Sequence, residues 1–433
     1  MALINSLSKP AIRGEVELFS VPATDTTTDY SMYSEFQPLV NVRDSSSKIE
    51  FKIPGNGNHY LDLNDNFLYI LVKVVAKDGS DLADDAKVGV TNLFMHALFS
   101  QLDVYFNSQL VSTSNNVYPY RAYIETLLSY GSDYKSSQGT CALFYTDTGD
   151  GGATTGNTGY TKRKSFIHKS KTLELMDKLR FNLATQHRYI LNDVTVNINL
   201  TRSPDSFSLF TESSTDEAVV KIMSASLFVR KQILYPSLIL SHQKLLEKGQ
   251  VARYPHKKTE VKYFTIATGS TGAVEENLFA NSIPSRVVFG FIPSQAFVGQ
   301  FHSNPFKFNH TNVTSIGITI NNISIPIRPL ALKFSEDQFL QAYYLLFTST
   351  GIAGQDIGLS FDREDFKENN ALFTFDIVQA CGNESLLSLE KSGSVKLEVL
   401  FGTALASATH CVVFSEHQAI LEIDKFRQVV VTQ

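Results

Sequence analysis

Apolar and polar residues alternate with a period of two along much of this chain, which predicts strands. The cleanest case is residues 193–201. Val194, Val196, Ile198 and Leu200 fall on one face, while Asp193, Thr195, Asn197, Asn199 and Thr201 fall on the other. Residues 67–75 form a continuous apolar run that predicts a strand covered on both faces. Leu102, Val104 and Phe106 alternate with polar or amphipathic neighbours up to a turn at Asn107-Ser108. The strongest hairpin signal places Ile316, Ile318 and Ile320 opposite Ile327, Ile325 and Ile323 across Asn321-Asn322. Asn tolerates positive φ, so that pair suits a type I′ turn with all six Ile on one face. Pro326 removes a backbone donor and marks a sheet edge or a bulge.

Helical spacing interrupts this pattern in three places. Tyr120, Ile124, Leu127 and Leu128 make an apolar stripe over 119–130, with Pro119 in the first turn and Gly131 after the last. A second helix is predicted over about 336–348, carrying Phe339, Tyr343 and Leu346, with a capping box at Ser335-Glu-Asp-Gln338 and Gly351 beyond its end. A third, over 237–248, follows Pro236 and ends at Gly249.

The order of elements repeats. Residues 48–53 open one unit and residues 260–266 open another, and each continues through strands, a tight hairpin and a helix. Such a repeat predicts two stacked copies of one β-domain. The expected organisation is an extended polar arm at 1–40, a first unit at 41–235, a linker with a short helix at 236–258, and a second unit at 259–433.

Composition narrows the function. At 433 residues, 43% hydrophobic and 19% charged, the chain has ample core for two domains. The net charge is −5, and no basic run exists to displace counterions from phosphates, so direct nucleic-acid binding is not expected. Lys162-Arg-Lys164 is the densest basic cluster and reads as a solvated loop. Three cysteines, Cys141, Cys381 and Cys411, fit a reducing compartment. No signal peptide or apolar run of spanning length is visible, so the Asn-x-Ser/Thr acceptors at Asn199, Asn309, Asn312, Asn322 and Asn383 read as coincidences.

Candidate chemistry is sparse. The Gly/Thr/Asp tract at 146–159 lacks the Gly-Lys-Ser/Thr of a phosphate cradle and is expected as a long exposed loop. There is no His-x-His pair for a metal-binding sandwich enzyme, and His410 and Cys411 point to opposite sheet faces. Residues 362–368 concentrate carboxylates without calcium-loop spacing and read as a solvated loop. His302 and His310 lie among aromatics and read as packed residues. No Gly-x-Ser-x-Gly elbow occurs. The sequence therefore assigns no catalytic, cofactor-binding or metal residues and no cofactor, and an enzyme is not expected.

Residues 92–106, running into 118–128, resemble the first roll of double-jelly-roll major capsid proteins. Residues 283–292, 296–299 and 304–308 resemble the matching part of the second roll. The likeness covers about 45–433 and is greatest to the Polinton/Maverick and adintovirus type. It implies an all-β chain of two tandem eight-stranded jelly rolls with short helices in the connections. It also implies a homotrimer acting as a pseudo-hexameric capsomer, which tiles an icosahedral shell of a double-stranded DNA virus or related mobile element. Neighbouring capsomers, penton and minor capsid proteins are the implied partners, with an inner membrane possible. The implied location is the virion, after synthesis in the host cytoplasm. On this reading the 146–160 tract is an outer tower loop and residues 1–40 lie at the inner base. The rival is a host protein whose tandem sandwiches present the Gly/Thr loop to glycans or receptors.

Overall fold

Strand-forming residues with one apolar face must bury that face against a second sheet. The computed structural model describes residues 7–9, 11–42, 47–211, 217–279, 282–378 and 391–432; Cys381 and Asn383 lie outside them. Sixteen of the described strands form two sets of eight. The first set is β1 (Thr28–Phe36), β2 (Lys48–Ile53), β3 (His59–Ala76), β4 (Phe99–Phe106), β5 (Gln109–Ser112), β6 (Leu173–Asp177), β7 (Val196–Arg202) and β8 (Ala218–Leu234). The second is β9 (Ala252–Ile266), β10 (Gly272–Glu275), β11 (Arg286–Pro293), β12 (Val313–Ile320), β13 (Ile323–Ala331), β14 (Leu372–Asp376), β15 (Val395–Phe401) and β16 (Thr409–Ile423).

In the first set the sheets run β1-β8-β3-β6 and β2-β7-β4-β5; in the second they run β9-β16-β11-β14 and β10-β15-β12-β13. Adding eight to each label of the first set gives the second. All pairings are antiparallel. Each set is a jelly roll, as the sequence implied.

Register explains why these residues make a core. Across β2-β7-β4, Ile49, Leu200 and Leu102 share one row, Phe51, Ile198 and Val104 the next, and Ile53, Val196 and Phe106 a third. All nine are buried, each contributing about 1.5–3 kcal/mol. The alternation read at 194–200 is reproduced, with Val194, Val196, Ile198 and Leu200 inside.

Four expectations need correction. Residues 48–53 are the second strand of their roll, whereas 260–266 belong to the first strand of theirs, so these two runs are one strand out of phase and do not open equivalent units. The missing strand is β1, inside the segment read as an arm. It sits at a sheet edge beside β8 with Tyr30, Met32 and Tyr33 exposed, so it has no apolar stripe to show. The run at 67–75 is covered mainly on one side, because Leu68, Ile70, Val72 and Val74 are buried while Phe67, Tyr69 and Leu71 are only half-buried.

In the Ile hairpin, Asn321 and Asn322 take positive φ, and 320 pairs with 323 and 318 with 325, as expected. Beyond Pro326 the register shifts so that Ile316 meets Leu330, leaving Ile327 91% exposed on an edge strand. The fourth correction is the capping box. Asp337 is left-handed, a short 3₁₀ turn occupies Phe334–Glu336, and the helix begins only at Leu340 without a side-chain cap.

Candidate functional site

The surfaces through which the rolls meet each other and the outside are where a chain of this fold acts. Among the described residues, four helices of ten residues or more lie outside the sheets: α1 (Tyr118–Ser129), α2 (Thr158–Ile167), α3 (Pro236–Glu247) and α4 (Leu340–Ser349). Helices α1 and α4 occupy equivalent places, each between the fifth and sixth strand of its roll. The predicted stripe of α1 is buried, but Tyr118, Arg121, Tyr123 and Thr126 are buried too. A helix covered all round lies between two bodies rather than on one, and the second roll supplies the other cover.

Tyr120 stacks on Phe297 with centroids 5.1 Å apart, and Tyr123 stacks on Phe306 at 4.5 Å. Phe207 meets Phe306 edge-on at 5.8 Å. Such pairs contribute about 0.5–1.5 kcal/mol beyond their buried area. Gly299 permits the approach: its φ is +88°, and a Cβ there would stand 2.8 Å from that of Phe207. Across the seam Thr211 N also donates to Phe301 O (2.7 Å), and the His302 ring donates from Nδ1 to Thr211 O (2.9 Å).

At one end of the seam lies the Gly/Thr/Asp tract. It is no free loop. Gly151 N donates to Asn369 Oδ1 (2.7 Å), Asn369 Nδ2 donates to Gly149 O (2.8 Å), and Asn304 Nδ2 donates to Gly151 O (2.8 Å). Its Asp147 accepts from Arg163 Nη2 at 2.7 Å, and both side chains are buried. Arg163 also donates to Val90 O and Tyr145 O. Lys162-Arg-Lys164 is therefore part of α2, capped by Asn157, with its central Arg turned inward. The expected exposure holds at 148–150, 152, 155, 156 and 158, but composition could not show that Asn304 and Asn369 of the second roll tie the tract down at Gly149 and Gly151.

Elsewhere along the seam, Leu191 N donates to Tyr254 Oη (3.0 Å) and Thr259 N to Asn182 Oδ1 (3.1 Å). Arg427 donates to Asn192 through both Nε and Nη2 (2.8 Å each). Lys135 is buried with its ammonium on the carbonyls of Leu127 and, across the seam, Leu359. Burial pulls its pKa down to about 7.

One cluster in the first roll has the residue types of catalytic machinery. His96 bonds Tyr118 Oη (2.8 Å) and Asp177 Oδ2 (3.0 Å), and Arg180 and Tyr134 complete the shell. Burial alone would raise the Asp177 carboxyl, but the His96 hydrogen bond and the Arg180 charge hold it at about 2. His96 and Tyr118 are 1% and 0% exposed, so no substrate reaches them as they stand. The cluster fastens the start of α1 to β6.

The other candidates are packed residues. His302 is in the seam, and His310 stacks on Phe334 at 4.3 Å. His410 bonds Thr265 and Ser294, while Cys411 is fully buried with its thiol pushed up. Residues 362–368 form a capped helix rather than a loop, Asp362 accepting from Glu364 N and Asp365 N. Among the described residues no three His, Cys, Asp or Glu side chains converge to hold a metal, and no helix is long and apolar enough to cross a membrane.

No protein-family model matches the chain. It is 24% identical over 426 residues to the uncharacterized protein F54H12.2 of Caenorhabditis elegans, covering 95% of this chain and 99% of that one. Among solved structures, a chain of the Sputnik virophage superposes with a TM-score of 0.61 at 12% identity, covering all of this chain and 94% of its own. The mavirus major capsid protein gives 0.51 at 11% identity, over all of this chain and 96% of its own. The fold shared from end to end with these viral proteins is the double jelly roll.

Proposed function

We propose that the chain is a major capsid subunit, a structural protein whose work is assembly. One observation carries this reading: two rolls of identical strand order are fixed side by side by a buried seam, in a fold that the mavirus major capsid protein shares along its whole length. Two rigidly coupled rolls per chain would give six in a closed three-fold ring, the outline of a pseudo-hexameric capsomer. Its partners would be two further copies, then neighbouring capsomers, with penton and minor capsid proteins at specialised positions. The virion of a double-stranded DNA virus or Polinton/Maverick-type element would be its location.

Exposed apolar residues of the second roll, Ile323 and Ile327 on an edge strand and Leu340 and Tyr344 on α4, support surfaces that are covered by another subunit. The rival reading, a binding protein presenting the Gly/Thr tract, keeps exposed residues at 148–150, 152, 155 and 156, but the tract is tied down at Gly149 and Gly151 rather than free to adapt to a ligand. Size-exclusion chromatography with light scattering, followed by negative-stain imaging, tests the proposal. Trimers of hexagonal outline are expected; a chain that remains monomeric at every concentration refutes it.

A further inference from the structure

Beneath α3, the helix joining the rolls, runs an open groove of about 430 Å³. Tyr60, Leu191, Leu234, Leu238, Leu245 and Tyr254 give it an apolar lining. The charged residues lining it are Arg188 and Arg253, alongside His187 and His242; Arg253 is already paired with Glu422 at 2.9 Å, whereas Arg188 faces no carboxylate of the lining. Thr27 and Thr28 form part of its wall, so the chain preceding β1 leaves from the edge of the groove. Tyr235 N donates to Thr27 O (3.2 Å) and fixes that exit.

The stretch that leaves has the complementary chemistry. Glu15-Val-Glu-Leu-Phe-Ser-Val21 places two carboxylates beside four apolar side chains. Val16, Leu18, Phe19 and Val21 are 63%, 77%, 97% and 88% exposed, so the arm passes the groove of its own chain without filling it. From Thr28, seven extended residues reach about 23 Å.

We propose that the groove under α3 receives residues 15–21 of a neighbouring copy, with Leu18 and Phe19 on its apolar floor and Glu17 facing Arg188. This rests on the assembly reading above and names the contact that links one copy to the next.

The test uses full-length chains carrying Cys141→Ser and Cys381→Ser and two different tags. One carries Phe19→Cys and the other Leu245→Cys, and mixed assemblies are oxidised. The expected result is a disulfide between the two tagged chains, lost with Leu18→Asp in the arm, reduced at least several-fold by Arg188→Glu, and restored when Glu17→Arg accompanies the latter. Trimers that give no bond between chains, or a bond only when both cysteines occupy one chain, overturn the arm contact and leave the assembly reading standing. Arm-dependent sedimentation with phosphatidylglycerol vesicles, without a bond between chains, overturns it in favour of a lipid surface. Monomers throughout sink both readings.

Discussion

The two rolls share a strand order and differ in what holds their polar groups. The first buries ions: Asp147 with Arg163, and Asp177 with Arg180 beside His96. The second has one pair of comparable burial, Arg286 with Glu416, and adds buried neutral imidazoles. His417 lies between Ser282 and Ser415, His410 between Thr265 and Ser294, and His256 on its own strand's carbonyl. Its helical side is filled by an aromatic chain through Phe334, Phe339, Phe366 and Phe373. One topology thus tolerates two chemistries, because strand order is set by backbone pairing and apolar faces. Polar residues need only be satisfied where they fall.

The largest test of this comparison concerns β1 and its counterpart β9. Removing residues 1–40 deletes β1, uncovers the edge of β8 and abolishes cooperative unfolding of the first roll. Removing only 1–27 leaves the melting temperature within a degree or two. Calorimetry on the two truncations separates these outcomes.

Next in size is the buried ion pair. Arg163→Met leaves Asp147 buried without its charge partner and costs about 3–5 kcal/mol, measured by urea unfolding. Comparable losses from Phe306→Ala, about 3–5 kcal/mol, are expected because that ring serves both rolls. A double-mutant cycle with Tyr123→Ala should return a coupling of about 0.5–1.5 kcal/mol.

Acid should separate the rolls. Burial, aided by Lys258 and Lys262 and opposed by Glu260, lowers the His417 pKa from 6.5 to about 4. A depressed pKa means the folded state disfavours protonation, so this stabilising term is full above pH 6.5 and is lost as pH falls through 4. The Asp177 contribution is full above its ordinary 3.8 and is lost only as pH falls through about 2. Near pH 4, hydrogen exchange should therefore open β16 before β6, and His417→Gln should flatten the dependence. Lys135 acts in the alkaline range: with a folded pKa of about 7 against 10.5, its contribution rises from pH 7 to 10.5. The smallest effect is Ile327→Asp on the exposed edge of β13. It should change stability by under about 0.5 kcal/mol while weakening association in light scattering.

Features that depend on neighbours a few residues away are legible in the chain alone. The period-two faces at 194–200, the positive-φ hairpins at Asn107-Ser108 and Asn321-Asn322, and the helices at 118–129 and 236–247 were legible because local sterics and alternation set them. Tertiary structure decided the rest. An edge strand such as β1 has no buried stripe to advertise, and it is recognisable only once β8 lies beside it. The polar tract at 146–159 is exposed at half of its positions as its composition suggests, but its fastening at Gly149 and Gly151 appears only when Asn304 and Asn369 arrive from more than 140 residues away. Whether a polar group is wet or buried depends on which distant partner satisfies it, and spacing along one chain does not carry that information.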